Sequence, residues 1–215
     1  MTLGFKQAYT RHGTSILEGE NYEMKRLFLL SLFGTLSIIL AACGSNELEN
    51  TLGWEVQPFE ATTQDGESFS TKDLEGKVWL ANFIFTSCET ICPPMTRNMA
   101  KIQDQLKEEG IEAEIVSFSV DPTVDTPDVL KKFGKEHGAD FSNWTFVTEY
   151  TQEEIRVFAE ESFKTMAVKT EGNDQVTHGS SFYLVGTEGQ VLKKYKGDVD
   201  VPYDQIVEDT KIANQ

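Results

Sequence analysis

The fold this sequence predicts is an α/β sandwich: a mixed central sheet flanked by helices, opened by an N-terminal β-hairpin. Three observations predict it. Val78-Trp-Leu-Ala-Asn-Phe-Ile-Phe85 is a nearly continuous apolar run, as expected for a central strand covered on both faces. Strand-like and helix-like runs then alternate along the chain. The alternation finishes in a hairpin and a last helix.

Residues 56–71 read as two short strands around Asp65-Gly66, a dipeptide suited to a tight hairpin turn. The run at 78–85 is followed by Thr86 to Pro94 and then a helix. Its apolar positions Met95, Met99, Ile102 and Leu106 share one helical face, and Gly110 stops it. Residues 114–120 form the next strand. Thr126-Pro127 starts a second helix, with the hydroxyl as cap and proline in the first turn, and Gly138 ends it. Residues 144–148 form another strand. Thr151 and Glu154 make a capping box ahead of Ile155, Phe158 and Ala159. Residues 180–185 and 191–195 flank Glu188-Gly189 as the closing hairpin, and residues 202–213 form the last helix.

At 215 residues the chain suits one domain plus a short N-terminal addition, and 39% hydrophobic residues suffice for an ordinary core. The charge is strongly acidic, 19 Lys plus Arg against 35 Asp plus Glu. Residues 1–42 hold four basic and three acidic groups, so the remainder carries 15 against 32. Such a surface repels nucleic acid, which needs clustered Lys and Arg, and favours solubility and cationic partners.

The N-terminus reads as an address. Met24-Lys-Arg is followed by sixteen uncharged residues, 27–42, and then Cys43. A basic start, an apolar stretch and small residues before the break describe a secretory signal, and the run is shorter than the roughly 20 residues of a membrane span. Leu40-Ala41-Ala42-Cys43 resembles the lipobox of bacterial lipoproteins, which implies cleavage before Cys43 and lipid on its sulfur. Residues 1–23 read as an upstream extension, with translation starting at Met24, and residues 24–42 as the signal. Residues 43–53 are then the lipidated cysteine and a polar tether, and residues 54–215 the domain.

The residues that carry chemistry stand in Thr86-Ser-Cys88-Glu-Thr-Ile-Cys92-Pro-Pro94, where a buried strand hands over to a helix. Unpaired N–H groups and the positive dipole at a helix start stabilise thiolates there. Pro93 and Pro94 are expected to push the helix start beyond Cys92, leaving both sulfurs on a loop. Two thiols at this spacing suit a structural disulfide, a redox pair or part of a metal site. A bridge closing so short a loop adds little stability, which weakens the first. Of the three histidines, His12 lies in the extension and His137 stands at a helix end before Gly138, where it favours the helix dipole. His178, just before a strand, is open to a structural or a ligating role.

Three segments together resemble the Sco family. They are Gly76 to Cys88 with its five-residue Cys-Glu-Thr-Ile-Cys92 loop, Ser119-Val-Asp-Pro-Thr-Val-Asp-Thr-Pro127, and His178 ahead of Phe182-Tyr-Leu-Val185. The similarity runs from about Trp54 to the C-terminus. It implies a thioredoxin-like fold and copper, as Cu(I) and Cu(II), held by Cys88, Cys92 and His178. Asp121 matches an acidic residue near that site, and its other reading is a turn residue before Pro122. Gly179 stands where many members have serine, and Gly186 where many have aspartate. Two sulfurs and one imidazole form a soft donor set suited to Cu(I), and no further Cys or His lies near enough in sequence to close a four-ligand zinc site.

The implied function is that of a metallochaperone, acting by copper delivery, thiol redox chemistry or both. It would be lipid-anchored on the outer face of a bacterial cell membrane, assisting assembly of the CuA centre of cytochrome c oxidase. Its partners would be the CuA-bearing subunit and a thiol reductant. An extracytoplasmic thiol–disulfide oxidoreductase is the second reading. It is disfavoured because general thioredoxin-like reductases carry two residues between the cysteines and a proline where Thr177-His178-Gly179 stands. A thiol peroxidase is third, since it needs an arginine beside the thiolate and Arg97 is the one candidate near in sequence.

Overall fold

The computed structural model describes residues 48–169 and 175–215. Ten strands and four α-helices follow in the order β1 (Trp54–Glu55), β2 (Glu60–Thr63), β3 (Ser68–Ser70), β4 (Trp79–Ile84), α1 (Cys92–Glu108), β5 (Glu114–Ser119), α2 (Pro127–Glu136), β6 (Trp144–Thr148), α3 (Gln152–Phe163), β7 (Ala167–Lys169), β8 (Val176–His178), β9 (Ser181–Val185), β10 (Gln190–Lys196) and α4 (Tyr203–Ala213). Eight strands form one sheet in the order β1-β10-β9-β4-β5-β6-β2-β3. β4, β5 and β6 are parallel, with Ile84 opposite Ser119, and the outer pairs are antiparallel. The mixed sheet and the N-terminal hairpin, β2 with β3, are as expected.

Every residue of β4 is buried, which fits its unbroken apolar sequence and its place mid-sheet. On one face α3 packs Phe158 and Phe163 against an aromatic cluster of Phe59, Phe83, Phe118 and Tyr183. Thr151 starts α3 with the expected capping box, its hydroxyl accepting from the Glu154 N–H. On the other face α2 brings Gly134 so close to Phe146 that an added Cβ would lie 2.9 Å from the ring. α4 reaches the same face, where Tyr195 donates its hydroxyl hydrogen bond to Asp209.

Two features were not expected from sequence. β1 pairs with β10, and upstream of it the Leu52 N–H donates to the Leu192 carbonyl at 2.9 Å, so the end of the tether lies along the sheet edge. β7 and β8 form a separate two-stranded sheet, with Ala167 opposite His178. The signal, Met24 and Cys43 lie outside the described residues. Among the described residues no helix is long and apolar enough to cross a membrane.

Candidate metal centre

Three elements build the site: the connection leaving β4, the first turn of α1 and the end of β8. The Cys88 N–H donates to the Phe85 carbonyl at 3.3 Å, turning the chain sharply after the buried strand. The helix then begins earlier than expected. Cys92 is its first residue, and Pro93 and Pro94 sit inside the first turn. The expectation that both sulfurs lie on a loop is thus corrected: Cys88 does, and Cys92 is helical. The reason is that first-turn N–H groups have no intrahelical partner, so the one proline lacks is not missed. The first helical bond, from the Met95 N–H to the Ile91 carbonyl at 3.1 Å, lies past both prolines.

Both cysteines are free thiols and buried. Cys88 Sγ accepts the Cys92 N–H at 3.4 Å and lies 4.0 Å from Thr90 Oγ1. Burial pushes the Cys88 thiol up, but the N–H groups of Cys92, Ile91 and Thr90 outweigh it and hold its pKa below the ordinary thiol value. Cys92 behaves oppositely. Burial above all pushes its thiol far up, and negative charge at Cys88 and Asp125 adds to this. The first sulfur is poised to ionise and the second to stay protonated.

His178 closes the site. Its Nε2 lies 3.5 Å from Cys92 Sγ, and its Nδ1 lies 3.0 Å from the Gly179 carbonyl. A carbonyl only accepts, so Nδ1 carries the ring proton and Nε2 presents its lone pair to the sulfur. Burial lowers the His178 pKa and favours the neutral ring, whose orientation is further fixed by an edge-to-face contact with Phe85 at 5.5 Å. At the next residue, Gly179, a Cβ would lie 2.4 Å from Thr165 Oγ1, so the departure from serine has a local reason. His137, by contrast, caps α2 with Nδ1 2.8 Å from the Phe133 carbonyl.

Asp121 borders this site without touching the sulfurs or the imidazole. It lines a cavity of about 530 Å³ with Ser87, Glu89, Thr90, Val124 and Gln175. Its carboxylate accepts from Lys169 Nζ at 2.6 Å and from Thr123 Oγ1 at 2.8 Å. Asp125, four residues on, was missed by sequence reasoning, although it lies in the motif quoted for the resemblance. It is fully buried and accepts from Thr86 Oγ1 at 2.5 Å and Ser119 Oγ at 2.6 Å. Burial pushes its carboxyl up against the pull of these donors. No sequence signal separated it from an ordinary helix-start aspartate.

Cys88, Cys92 and His178 are therefore brought to one place from positions up to 90 residues apart. Among the described residues no three Cys, His, Asp or Glu side chains already converge as a closed cluster. Cys92 and His178 face each other, while Cys88 Sγ is turned to the Cys92 amide.

The family model described as SCO1/SenC matches residues 50–213. The SCO1 protein homolog of Bacillus subtilis is 51% identical over 84% of this chain and 94% of its own length. The crystal structure of a SCO1/SenC family lipoprotein from Bacillus anthracis is 47% identical, covering 78% of this chain and 99% of that one at a TM-score of 0.76. BsSco, whose structure identified a disulfide switch in a member of the Sco family of cytochrome c oxidase assembly proteins, is 52% identical, covering 79% and 98% at 0.73. Arabidopsis thaliana ScoI with copper bound is 31% identical, covering 72% and 97% at 0.62. The expected thioredoxin-like fold is the fold of these relatives. The chain belongs to the SCO1/SenC family.

Proposed function

We propose that the protein binds copper through Cys88, Cys92 and His178 and assists assembly of the CuA centre of cytochrome c oxidase, by copper delivery, thiol redox chemistry or both. The observation that carries this reading is the approach of His178 Nε2 to Cys92 Sγ at 3.5 Å, beside a second thiol held at a helix start. The donors fit copper. One sulfur favours the thiolate, the second gives up a proton to coordinate, and the imidazole is already neutral. Such a set suits Cu(I), and an added oxygen or nitrogen ligand suits Cu(II). Cys88 Sγ, beside the Cys92 amide, supplies the third donor.

Copper is cargo in this reading. A site with three protein ligands leaves an open position, so a thiolate on the CuA-bearing subunit can enter as Cys88, Cys92 and His178 leave in turn. Lipid on Cys43 would hold the domain at the outer face of the bacterial cell membrane. The kinship with a lipoprotein and the short apolar run at 27–42 support that placement. The test is a deletion strain assayed for a CuA-containing oxidase and for an oxidase lacking that centre. Selective loss of the first, rescued by wild type but not by His178→Ala, is the expected result. Full rescue by His178→Ala overturns the copper reading.

The contrast between the two thiols favours thiol–disulfide exchange as the second reading. Cys88 thiolate attacks a disulfide of the partner, forming a mixed disulfide and releasing one partner thiolate. Cys92 loses its proton and attacks Cys88, releasing the second. The partner is reduced to a dithiol, and Cys88 and Cys92 are oxidised to a disulfide, with a separate thiol reductant restoring them. A peroxidase has less support, since Arg97 is exposed and is not among the groups that lower the Cys88 pKa.

A further inference from the structure

Asp125 is fully buried, and no ion pair among the described residues includes it. The nearby Lys169 is taken by Asp121. An uncompensated buried carboxyl is costly, so its hydrogen bonds are informative. They tie the ends of all three parallel strands. Oδ1 accepts from Thr86 Oγ1 at 2.5 Å and from the Thr86 N–H at 3.2 Å, just beyond β4. Oδ2 accepts from Ser119 Oγ at 2.6 Å, at the end of β5. The Asp125 backbone carbonyl accepts from Thr148 Oγ1 at 2.6 Å, at the end of β6. Asp125 is itself fixed by its N–H donating to the Asp121 carbonyl at 3.0 Å.

We propose that Asp125 is a positioning residue for the dithiol: by clamping Thr86 it fixes where the chain leaves β4, and so sets the geometry of Cys88 relative to Cys92. This rests on the reading of those two thiols as the working groups of the site. Thr86 stands two residues before Cys88, and it is the one residue in that connection held through both its backbone and its side chain by a single acceptor group. The Cys88 N–H bond to Phe85 then turns the chain from this fixed point toward the sulfur. Two hydroxyls and one N–H converge on the carboxylate. An asparagine is a weaker partner here: its amide lacks the carboxylate charge, and its NH2 obliges the Ser119 hydroxyl to turn and accept where it now donates. A carboxylate accepts from all three as they stand, with the added strength of its charge.

The experiment uses the full-length chain carrying Thr86→Val, Asp125→Asn, both together, or Thr86→Ser, which keeps the hydroxyl. Three quantities are measured: the thermal midpoint, Cu(II) affinity with its sulfur-to-copper charge-transfer band, and the glutathione ratio that half-oxidises the metal-free dithiol. Thr86→Val and Asp125→Asn are each expected to weaken Cu(II) by about tenfold, the effect of losing one charge-assisted hydrogen bond, and to move the band. Each should also shift the glutathione ratio, the double variant should be no worse than either single one, and Thr86→Ser should match wild type. If the wild-type chain binds no copper, the metal reading fails while the glutathione ratio still decides the clamp. Variants that lower the thermal midpoint but keep the wild-type band and glutathione ratio overturn the proposal, as do losses that add in the double variant. Should Asp125→Asn fail to fold, Thr86→Val against Thr86→Ser decides alone.

Discussion

Cys92 Sγ and His178 Nε2 stand 3.5 Å apart although 86 residues separate them in the chain. The Gly179 carbonyl holds the far side of the ring, so the lone pair that a metal would use is the one facing the sulfur. This pairing fixes which substitutions should be silent and which should not.

Replacing Cys88 or Cys92 by serine should abolish the sulfur-to-copper charge-transfer band of the Cu(II) form. His178→Ala should keep a band and weaken binding by tenfold or more, about 1.4 kcal/mol. His137→Ala should leave both unchanged, because His137 serves the end of α2. Copper titration followed by absorbance checks all of these. A tight equivalent of copper bound by the Cys88→Ser, Cys92→Ser double variant is the result that rejects the ligand assignment.

Copper affinity should rise with pH across the neutral range. The metal-free Cys92 thiol is protonated, because burial raises its pKa, and the proton must leave when the sulfur coordinates. Each proton released makes binding about tenfold tighter per pH unit. Competition titrations at several pH values measure the slope, and a flat profile contradicts the protonation state assigned to Cys92.

Alkylation should follow the same asymmetry. The thiolate is the nucleophile, so Cys88, with its lowered pKa, should react with iodoacetamide before Cys92 at neutral pH. The Cys88 rate should fall as pH drops, with its inflection below that of an ordinary thiol. Peptide mass spectrometry after a short exposure reads the order directly, and Cys92 labelled first reverses the assignment.

Oxidation should switch copper binding off. A sulfur shared in a disulfide has no thiolate charge to give, and His178 alone then remains. Copper should be lost on oxidation to the Cys88–Cys92 disulfide and regained with reductant. Equal affinity in the two states points to a site elsewhere on the acidic surface.

Intact-mass measurement of membrane-extracted protein should find a chain that begins at Cys43 and carries added acyl mass. Two acyl chains give stable anchoring, whereas one gives marginal binding. A membrane-bound form that retains residues 24–42 rejects cleavage.

Local sequence determined much of this protein. The apolar run at 78–85 placed the central strand, because a segment apolar on both sides must be covered on both sides. Thr151 with Glu154 marked one helix start through a capping box and Thr126-Pro127 another through the fixed proline dihedral. The two observed helices begin there, although the Thr126 hydroxyl does not make the expected cap bond. The order of the three motifs, together with their residue types, identifies the family from sequence alone. What sequence left undecided depends on groups that meet only across the fold. The partner of His178, the separate β7–β8 sheet that carries it, and the run of Leu52 along β10 are long-range pairings with no local signature. The helix start at Cys92 turned on the first-turn N–H groups having no partner to lose, a balance that proline alone does not reveal. Asp121 and Asp125 look alike in sequence. Only the tertiary structure gives one a lysine and the other three donors at the ends of β4 and β5, because parallel strands bring distant loops together at one edge of the sheet.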